Sequence, residues 1–514
     1  MNAIDPDRPS ASPAIELAGI SKSFGPVRAN RDIDLTVRPG TIHGIIGENG
    51  AGKSTLMSIL YGFYQADAGT IRVGGREVVI PDSQAAIALG IGMVHQHFML
   101  VHNFTVLENI ILGAEGGQVL NASMRRARAE LLRLEEEYGL KVDPDAVVGD
   151  LPVGLQQRVE ILKALYRGAD VLILDEPTGV LTPAEADHLF RILERLKAEG
   201  KTVLLITHKL REIMAITDRV SVMRRGEMVA TRRTAETSPE ELAELMVGRR
   251  VLLQVDKGAA SPAETRLSVA GASVTDARGV EMVKSVSFDV RAGEIVGIAG
   301  VAGNGQSELL QAISGMMPLS AGSIAVDGEA VVTDPAALRR RGLAHVPEDR
   351  HHEGLVLPFE ERENAILGYH HDERLASGPL IDIEAMNADA RAKIEAYDIR
   401  PPNPRLKTAN FSGGNQQKIV LAREMERDPT VLLVGQPTRG VDVGAIEFIH
   451  KRIIEMRDAG KAVLLVSVEL DEIRALADRI LVMFDGRIVG ECPPETSEAE
   501  LGLLMAGVTK DEAA

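Results

Sequence analysis

The sequence contains one cysteine, Cys492, in 514 residues. No intrachain disulfide can form and no cysteine cluster can hold a metal, which fits a reducing compartment. Basic residues are also short: 57 Lys and Arg against 74 Asp and Glu leave a formal net charge of −17. That argues against a general nucleic-acid binder, whose grip on phosphate backbones comes from clustered Lys and Arg. No apolar run approaches the ~20 residues that cross a bilayer. Met1 to Ser12 is polar and proline-rich, with neither an apolar signal core nor a basic start. Any spanning of a membrane would therefore fall to other chains. With 45% hydrophobic and 25% charged residues, a sizeable globular core is available.

Against these absences stands one short stretch, Gly47-Glu48-Asn49-Gly50-Ala51-Gly52-Lys53-Ser54-Thr55. It fits the phosphate-cradling pattern G-x-x-x-x-G-K-[ST]. Glycines let several backbone N–H groups converge on phosphate oxygens at the positive end of a helix. The lysine adds a charge on the β/γ-phosphates, and the hydroxyl after it suits Mg²⁺. The context agrees: Thr41 to Ile46 reads as a strand running in, and Leu56, Ile59, Leu60 and Phe63 repeat at helical spacing running out.

The stretch has an altered echo in Gly300-Val301-Ala302-Gly303-Asn304-Gly305-Gln306-Ser307-Glu308, where Gln306 replaces the lysine. The repeat extends well beyond the loops. Val37-Arg38-Pro39-Gly40 recurs as Val290-Arg291-Ala292-Gly293, and Pro177-Thr178 as Pro437-Thr438. Glu236-Thr237-Ser238 recurs as Glu495-Thr496-Ser497. The chain reads as a tandem duplication of one domain type. The expected domains are 12–250 and 265–508, with 251–264 as a linker containing Lys257-Gly258-Ala259-Ala260-Ser261-Pro262.

Val171 to Glu176 reads as a buried parallel strand ending in two carboxylates, where α/β sheets carry ligand chemistry. A second apolar strand, Thr202 to Thr207, ends at His208, and Thr182 to Glu185 reads as a capping box. Leu155, Val159, Leu162 and Leu165 share a helix face, matched by Ile419, Ala422 and Met425 in the second half. Alternating strands and helices imply a parallel α/β core in each half.

The motifs and their order resemble the ATPase subunit of an ABC transporter, over nearly the whole chain from about Ile15 to Gly507. Two such domains fused in one chain resemble the bacterial importers of simple sugars and nucleosides. Val346-Pro347-Glu348-Asp349-Arg350 and Gly354-Leu355-Val356 resemble that group's second half, and Gln306-Ser307 leans toward its nucleoside branch. The implied fold is α/β: two tandem P-loop ATPase domains, each a mostly parallel sheet core with an antiparallel β subdomain and an inserted helical subdomain. The implied cofactors are ATP and Mg²⁺.

By resemblance, Gly47, Asn49, Gly50, Gly52, Lys53 and Thr55 hold the phosphates, while Ser54 and Asp175, with Gln96, serve the metal. Glu176 orients and deprotonates the attacking water, Gln96 senses it, His208 contacts the γ-phosphate, and Phe24 stacks on adenine. Taken singly, Phe24 and His208 also fit a core, Gln96 a surface amide, and Asp175-Glu176 a solvated strand end. In the second half Gly305, Gln306 and Ser307 form the altered loop. Gly435 and Gln436 stand for the two carboxylates, Glu348 falls near the glutamine's place, and Val468 stands for the histidine. A neutral Gln436 takes no proton from water. The intact signature Ser412-Gly413-Gly414 lies in the second half, and in ABC proteins each signature faces the other domain's loop. The first half has Pro152 in place of the serine, losing a hydroxyl and a backbone N–H. Asp442 matches the family's interface aspartate, with Thr182 as its counterpart.

The resemblance implies a peripheral subunit on the cytoplasmic face of the membrane, bound to separate permease subunits and served by an extracytoplasmic solute-binding protein. No nucleic acid is expected. The segment His97 to Glu108 is the candidate permease contact, an ordinary solvated loop being the alternative. Import of a monosaccharide is the alternative to a nucleoside. A soluble twin-cassette factor acting on ribosomes or DNA ranks behind both, given the single intact site and the short linker.

Overall fold

A computed structural model describes residues 12–25, 27–95, 98–113, 120–178, 181, 183–250, 257–301, 303–331, 333–377, 380–441 and 443–508. The chain forms two compact units, Met1–Val251 and Leu252–Ala514.

In the first unit the apolar runs become central strands of a six-stranded sheet. Its order is Glu227–Arg233, Arg219–Arg224, Ile42–Gly47, Thr202–Ile206, Val171–Asp175, Ile91–Val94. All neighbouring pairs are parallel except the hairpin of Arg219–Arg224 with Glu227–Arg233. Both faces of this sheet are covered, so its strands need no polar alternation. Leu172 and Leu174 pack with the helices on one face, while Val171 and Ile173 pack toward the other. That second face lies against a four-stranded antiparallel sheet in the order Val27–Val37, Ile15–Phe24, Ala68–Val73, Arg76–Val78. Between the strands Ile91–Val94 and Val171–Asp175 the chain inserts helices Val106–Ile111, Leu120–Tyr138 and Val153–Tyr166.

The second unit repeats the plan. Its six strands run Leu343–Val346, Val431–Gly435, Ala462–Ser467, Glu294–Ala299, Arg479–Phe484, Arg487–Cys492, with the last pair again antiparallel. Its antiparallel sheet runs Glu281–Arg291, Thr265–Thr275, Ala321–Val326, Glu329–Ala330. The inserted helices are Glu361–Asn364, Ile383–Ala396 and Gly413–Met425. Among the described residues, no helix is long and apolar enough to cross a membrane.

One element is shorter than its pattern suggests. The helix after the first phosphate loop is Lys53–Leu60, so Phe63 lies beyond it and is 49% exposed. Gly62, at φ 84° and tight against the Asp82 backbone, turns the chain out of the helix. Phe63 instead packs edgewise on Tyr61, ring centroids 5.2 Å apart.

Candidate functional site

Strand Ile42–Gly47 feeds the chain into the first phosphate loop and helix Lys53–Leu60 carries it away. Gly52 sits at φ 97°, and a Cβ there would strike the Ala29 carbonyl oxygen. Gly50, at φ 79°, has open space around it and needs only the left-handed backbone. No side chain caps this helix. Its first-turn N–H groups are therefore left for an anion at the positive helix end.

Lys53 is 6% exposed, and Nζ donates to the carbonyls of Gly47 at 2.7 Å and Glu48 at 3.1 Å. Burial draws its ammonium below the usual lysine range, opposed by Glu176, Asp175 and Glu48. Ser54 hydrogen-bonds Asp175, whose carboxyl is pushed above its usual range by burial first and the Glu176 charge second. Parallel strands Ile42–Gly47, Thr202–Ile206 and Val171–Asp175 are consecutive in the sheet, so their carboxyl ends bring Lys53, Asp175, Glu176 and His208 together.

Glu176 has φ 47°, left-handed for a residue with a side chain, and its N–H donates to the Ile206 carbonyl at 2.8 Å. A backbone of this kind costs roughly 1 kcal/mol or more and persists because its surroundings hold it. His208 Nδ1 donates to Glu176 Oε1 across 2.9 Å. Burial is the largest influence on Glu176 and would raise it. The His208 hydrogen bond, with the charges of His208, Lys53 and Lys209, outweighs burial and holds the carboxyl below its usual range.

Phe24 ends the strand Ile15–Phe24 and is 42% exposed. Tyr64 meets it edge-on, centroids 5.1 Å apart at 71°, and Lys22 Nζ lies 5.6 Å from the ring centre. Tyr64 has no place in the sequence reading. The available signal was the Tyr61, Phe63, Tyr64 cluster in a chain only 3% aromatic. Asn49 is exposed on the loop and Thr55 half-buried in the helix. Gln96, Asp442 and Thr182 lie outside the described residues, as do His97 and hence the start of the candidate permease contact.

The signature helix Gly413–Met425 is capped by Ser412, whose Oγ accepts from Asn415 Nδ2 at 2.8 Å and from the Asn415 N–H at 3.5 Å. Gly413 is packed so closely that a Cβ would lie 2.8 Å from Arg350 Nη2 and 2.9 Å from the Gly440 carbonyl. Its counterpart Val153–Tyr166 begins at Pro152 with no side-chain cap.

The altered loop keeps the backbone of the first. Gly305 also sits at φ 97° as the uncapped helix start, and Gln436 at φ 45° donates its N–H to Val466 at 2.8 Å, as Glu176 does to Ile206. The side chains differ. Gln306, 5% exposed, donates from Nε2 to the Val301 carbonyl at 3.3 Å and brings no charge. Where His208 supports Glu176, the Val468 N–H donates to Gln436 Oε1 at 3.4 Å. Ser307 Oγ donates to the Glu348 carboxylate. Glu348 is pushed up chiefly by burial, against hydrogen bonds from Ser307 and Gln436.

The ABC transporter family profile matches residues 30–179 and 283–439. The nucleoside import ATP-binding protein NupA of Lactococcus lactis subsp. cremoris is 48% identical over 495 residues, covering 96% of this chain and 98% of its own. The guanosine import ATP-binding protein NupO of Bacillus subtilis is 50% identical over 501 residues, covering 97% and 98%. The glucose import ATP-binding protein TsgD13 of Haloferax volcanii is 46% identical over 527 aligned positions, covering 96% of each.

Proposed function

The chain belongs to the ABC transporter family, and from that premise we propose an ATP-hydrolysing subunit that energises import of a nucleoside or simple sugar. The nucleoside reading is favoured, because relatives named for nucleoside and guanosine import match at 48% and 50% identity, against 46% for the glucose one. The work is done through separate membrane-spanning permease subunits at the cytoplasmic face, with an extracytoplasmic binding protein delivering the solute. The two repeats act as nucleotide-binding domains over 12–250 and 265–508.

One observation carries the hydrolytic assignment: Lys53, Ser54, Asp175, Glu176 and His208 converge beside an uncapped helix N-terminus. The residues fit a nucleotide triphosphate and a divalent ion, since among the described residues the buried ammonium donates to loop carbonyls alone and the hydroxyl–carboxylate pair offers hard oxygen ligands. Bound Mg²⁺ supplies charge stabilisation on the phosphate oxygens. Lys53 and the loop amides bind the phosphates, and Ser54 and Asp175 hold the ion. Glu176, ionised at neutral pH, orients the attacking water and accepts its proton, while His208 fixes the carboxylate. Phe24 offers its face to the base. Ser412, Gly413, Gly414 and Asp442 are proposed as nucleotide-binding residues of the second unit. Gln306, Gly435, Gln436, Val468 and Pro152 belong to a second site that does not hydrolyse.

Glu176→Gln is expected to lower steady-state ATPase of the assembled transporter by about 100-fold or more while ATP still binds. Undiminished turnover would refute the assignment. Stimulation of the reconstituted transporter by nucleosides, and not by ribose or glucose, checks the solute class.

A further inference from the structure

The first phosphate loop and its altered echo are tied to their units by the same backbone bonds. The Gly226 N–H donates to the Ala51 carbonyl at 3.1 Å, and the Arg31 N–H to the Gly226 carbonyl at 2.7 Å. In the second unit Gly486 donates to Asn304 at 3.1 Å and Lys284 to Gly486 at 2.8 Å. One side chain breaks the match. Asn30, in strand Val27–Val37 and 1% exposed, donates from Nδ2 to the Gly52 carbonyl at 3.1 Å. The residue before Lys284 in the second unit is Val283, fully buried and without a side-chain donor. A Cβ on Gly52 would lie 2.7 Å from Asn30 Nδ2, whereas one on Gly305 would lie 3.0 Å from the Met483 methyl.

Asn30 is kept at a cost. Among the described residues its Oδ1 has no hydrogen-bond partner, and a buried acceptor left unpaired opposes folding. Valine occupies the same place in the second unit without that loss, and a β-branched residue suits a strand better than asparagine does. Stability alone does not account for the amide. Its one hydrogen bond points to what does.

That bond falls on the peptide joining Gly52 to Lys53. The Gly52 carbonyl also accepts the Leu56 N–H at 3.0 Å, the first bond of helix Lys53–Leu60. Two donors thus fix one carbonyl, the first from the helix and the second from a strand of the antiparallel sheet. In a trans peptide C=O and N–H point opposite ways, so fixing the carbonyl also fixes the Lys53 N–H. That N–H stands at the first helical position, has no partner within the helix and meets no side-chain cap. Gly52 reaches φ 97° cheaply because it is glycine, and for the same reason its own backbone does little to hold that angle. The Asn30 amide supplies the restraint that glycine lacks.

We propose that Asn30 is a positioning residue of the first phosphate loop, holding the Gly52–Lys53 peptide so that the Lys53 N–H stays turned toward the phosphates of a bound nucleotide. Val283 supplies no such restraint to the second loop. The inference rests on reading Gly47 to Thr55 as a nucleotide-phosphate loop.

The test is the ATPase of the assembled transporter carrying Asn30→Val, the residue that the second unit already accommodates. A donor that meets phosphate both before and during the reaction contributes to binding rather than to turnover. KM for ATP is expected to rise about threefold to tenfold, with kcat changed by less than about twofold. The melting temperature without nucleotide is expected to equal or exceed the parent's. Should Asn30→Val melt lower, Asn30→Ala, which cannot overfill the space, takes its place with the same rise in KM expected. An unchanged KM overturns the proposal, whether kcat falls or not. Lys53→Ala separates this from the underlying reading: if it abolishes turnover while Asn30→Val leaves KM in place, the loop reading stands and only the role of Asn30 falls. Turnover that survives Lys53→Ala undiminished overturns the loop reading itself.

Discussion

Tyr64 meets the Phe24 ring edge-on and contributes to its placement. An edge-to-face aromatic pair contributes about 0.5–1.5 kcal/mol beyond area burial. With Phe24 42% exposed, few other groups hold the ring in position for a base. Tyr64→Ala is therefore expected to weaken ATP binding by about threefold to tenfold, measured by titration with a fluorescent ATP analogue, and to weaken GTP and ATP alike. The residues proposed to bind phosphate were legible in the sequence because glycines, a lysine and a hydroxyl at fixed spacing have few other reasons to occur together. Tyr64 was not, since an aromatic forty residues from its partner carries no spacing signal. Nor was the left-handed backbone at Glu176, which the sheet imposes on whatever side chain stands there: Gln436 adopts it too.

The inserted helices show the same fastening twice. Asn109, fully buried, accepts from the Val101 N–H at 2.7 Å and donates to the Val101 and Thr105 carbonyls at 3.0 and 3.1 Å. Asn364 does the same for Val356, at 2.8 and 3.0 Å. Each asparagine pins the segment leaving the sheet to the helix that follows. Asn109→Ala strands buried polar groups and is expected to cost about 2–3 kcal/mol, read from denaturant unfolding.

The helices also differ where sequence periodicity gave no warning. Val106 and Leu134 are buried apolar side chains in the first unit, and the equivalent places in the second hold Glu361 and Lys393. Among the described residues neither carboxylate oxygen of Glu361 has a hydrogen-bond partner, and burial pushes its carboxyl up to about 8, with Lys393 opposing and Asp389 reinforcing the shift. The unfolded chain releases this proton near the ordinary carboxylate range while the folded one keeps it. Stability from this group is thus full below about 4.5, lost between there and about 8, and flat above. Glu361→Gln should exceed the parent in stability at pH 8.5, by an amount on the order of 2 kcal/mol, and match it near pH 4. Chemical denaturation at the two pH values checks both halves of the statement.

Across the whole molecule, the α/β plan and the duplication were legible because buried parallel strands are continuous apolar runs and the motifs recur in order. The sequence also indicated a carboxylate lost at Gly435. It did not indicate that Glu348 had taken the space, because the two positions meet only through the parallel pairing of two strands far apart in the chain. Hydrolysis needs several groups acting as a unit, and the second unit has replaced the lysine, both strand-end carboxylates and the histidine. Gln306→Lys with Gln436→Glu, introduced into a Glu176→Gln chain, is accordingly expected to leave ATPase at background, as measured by phosphate release.

The contact between Gly435 and Glu348 also bears on any substitution that would place a carboxylate at 435. Restoring Asp at 435 while Glu348 remains forces side-chain atoms into the 2.6 Å gap between the Cβ position at 435 and Glu348 Cγ, and removing Glu348 first leaves Ser307 without its carboxylate. A side chain at 435 and the one at 348 thus compete for one space, and the difference between the two strand ends is set by packing as well as by side-chain chemistry.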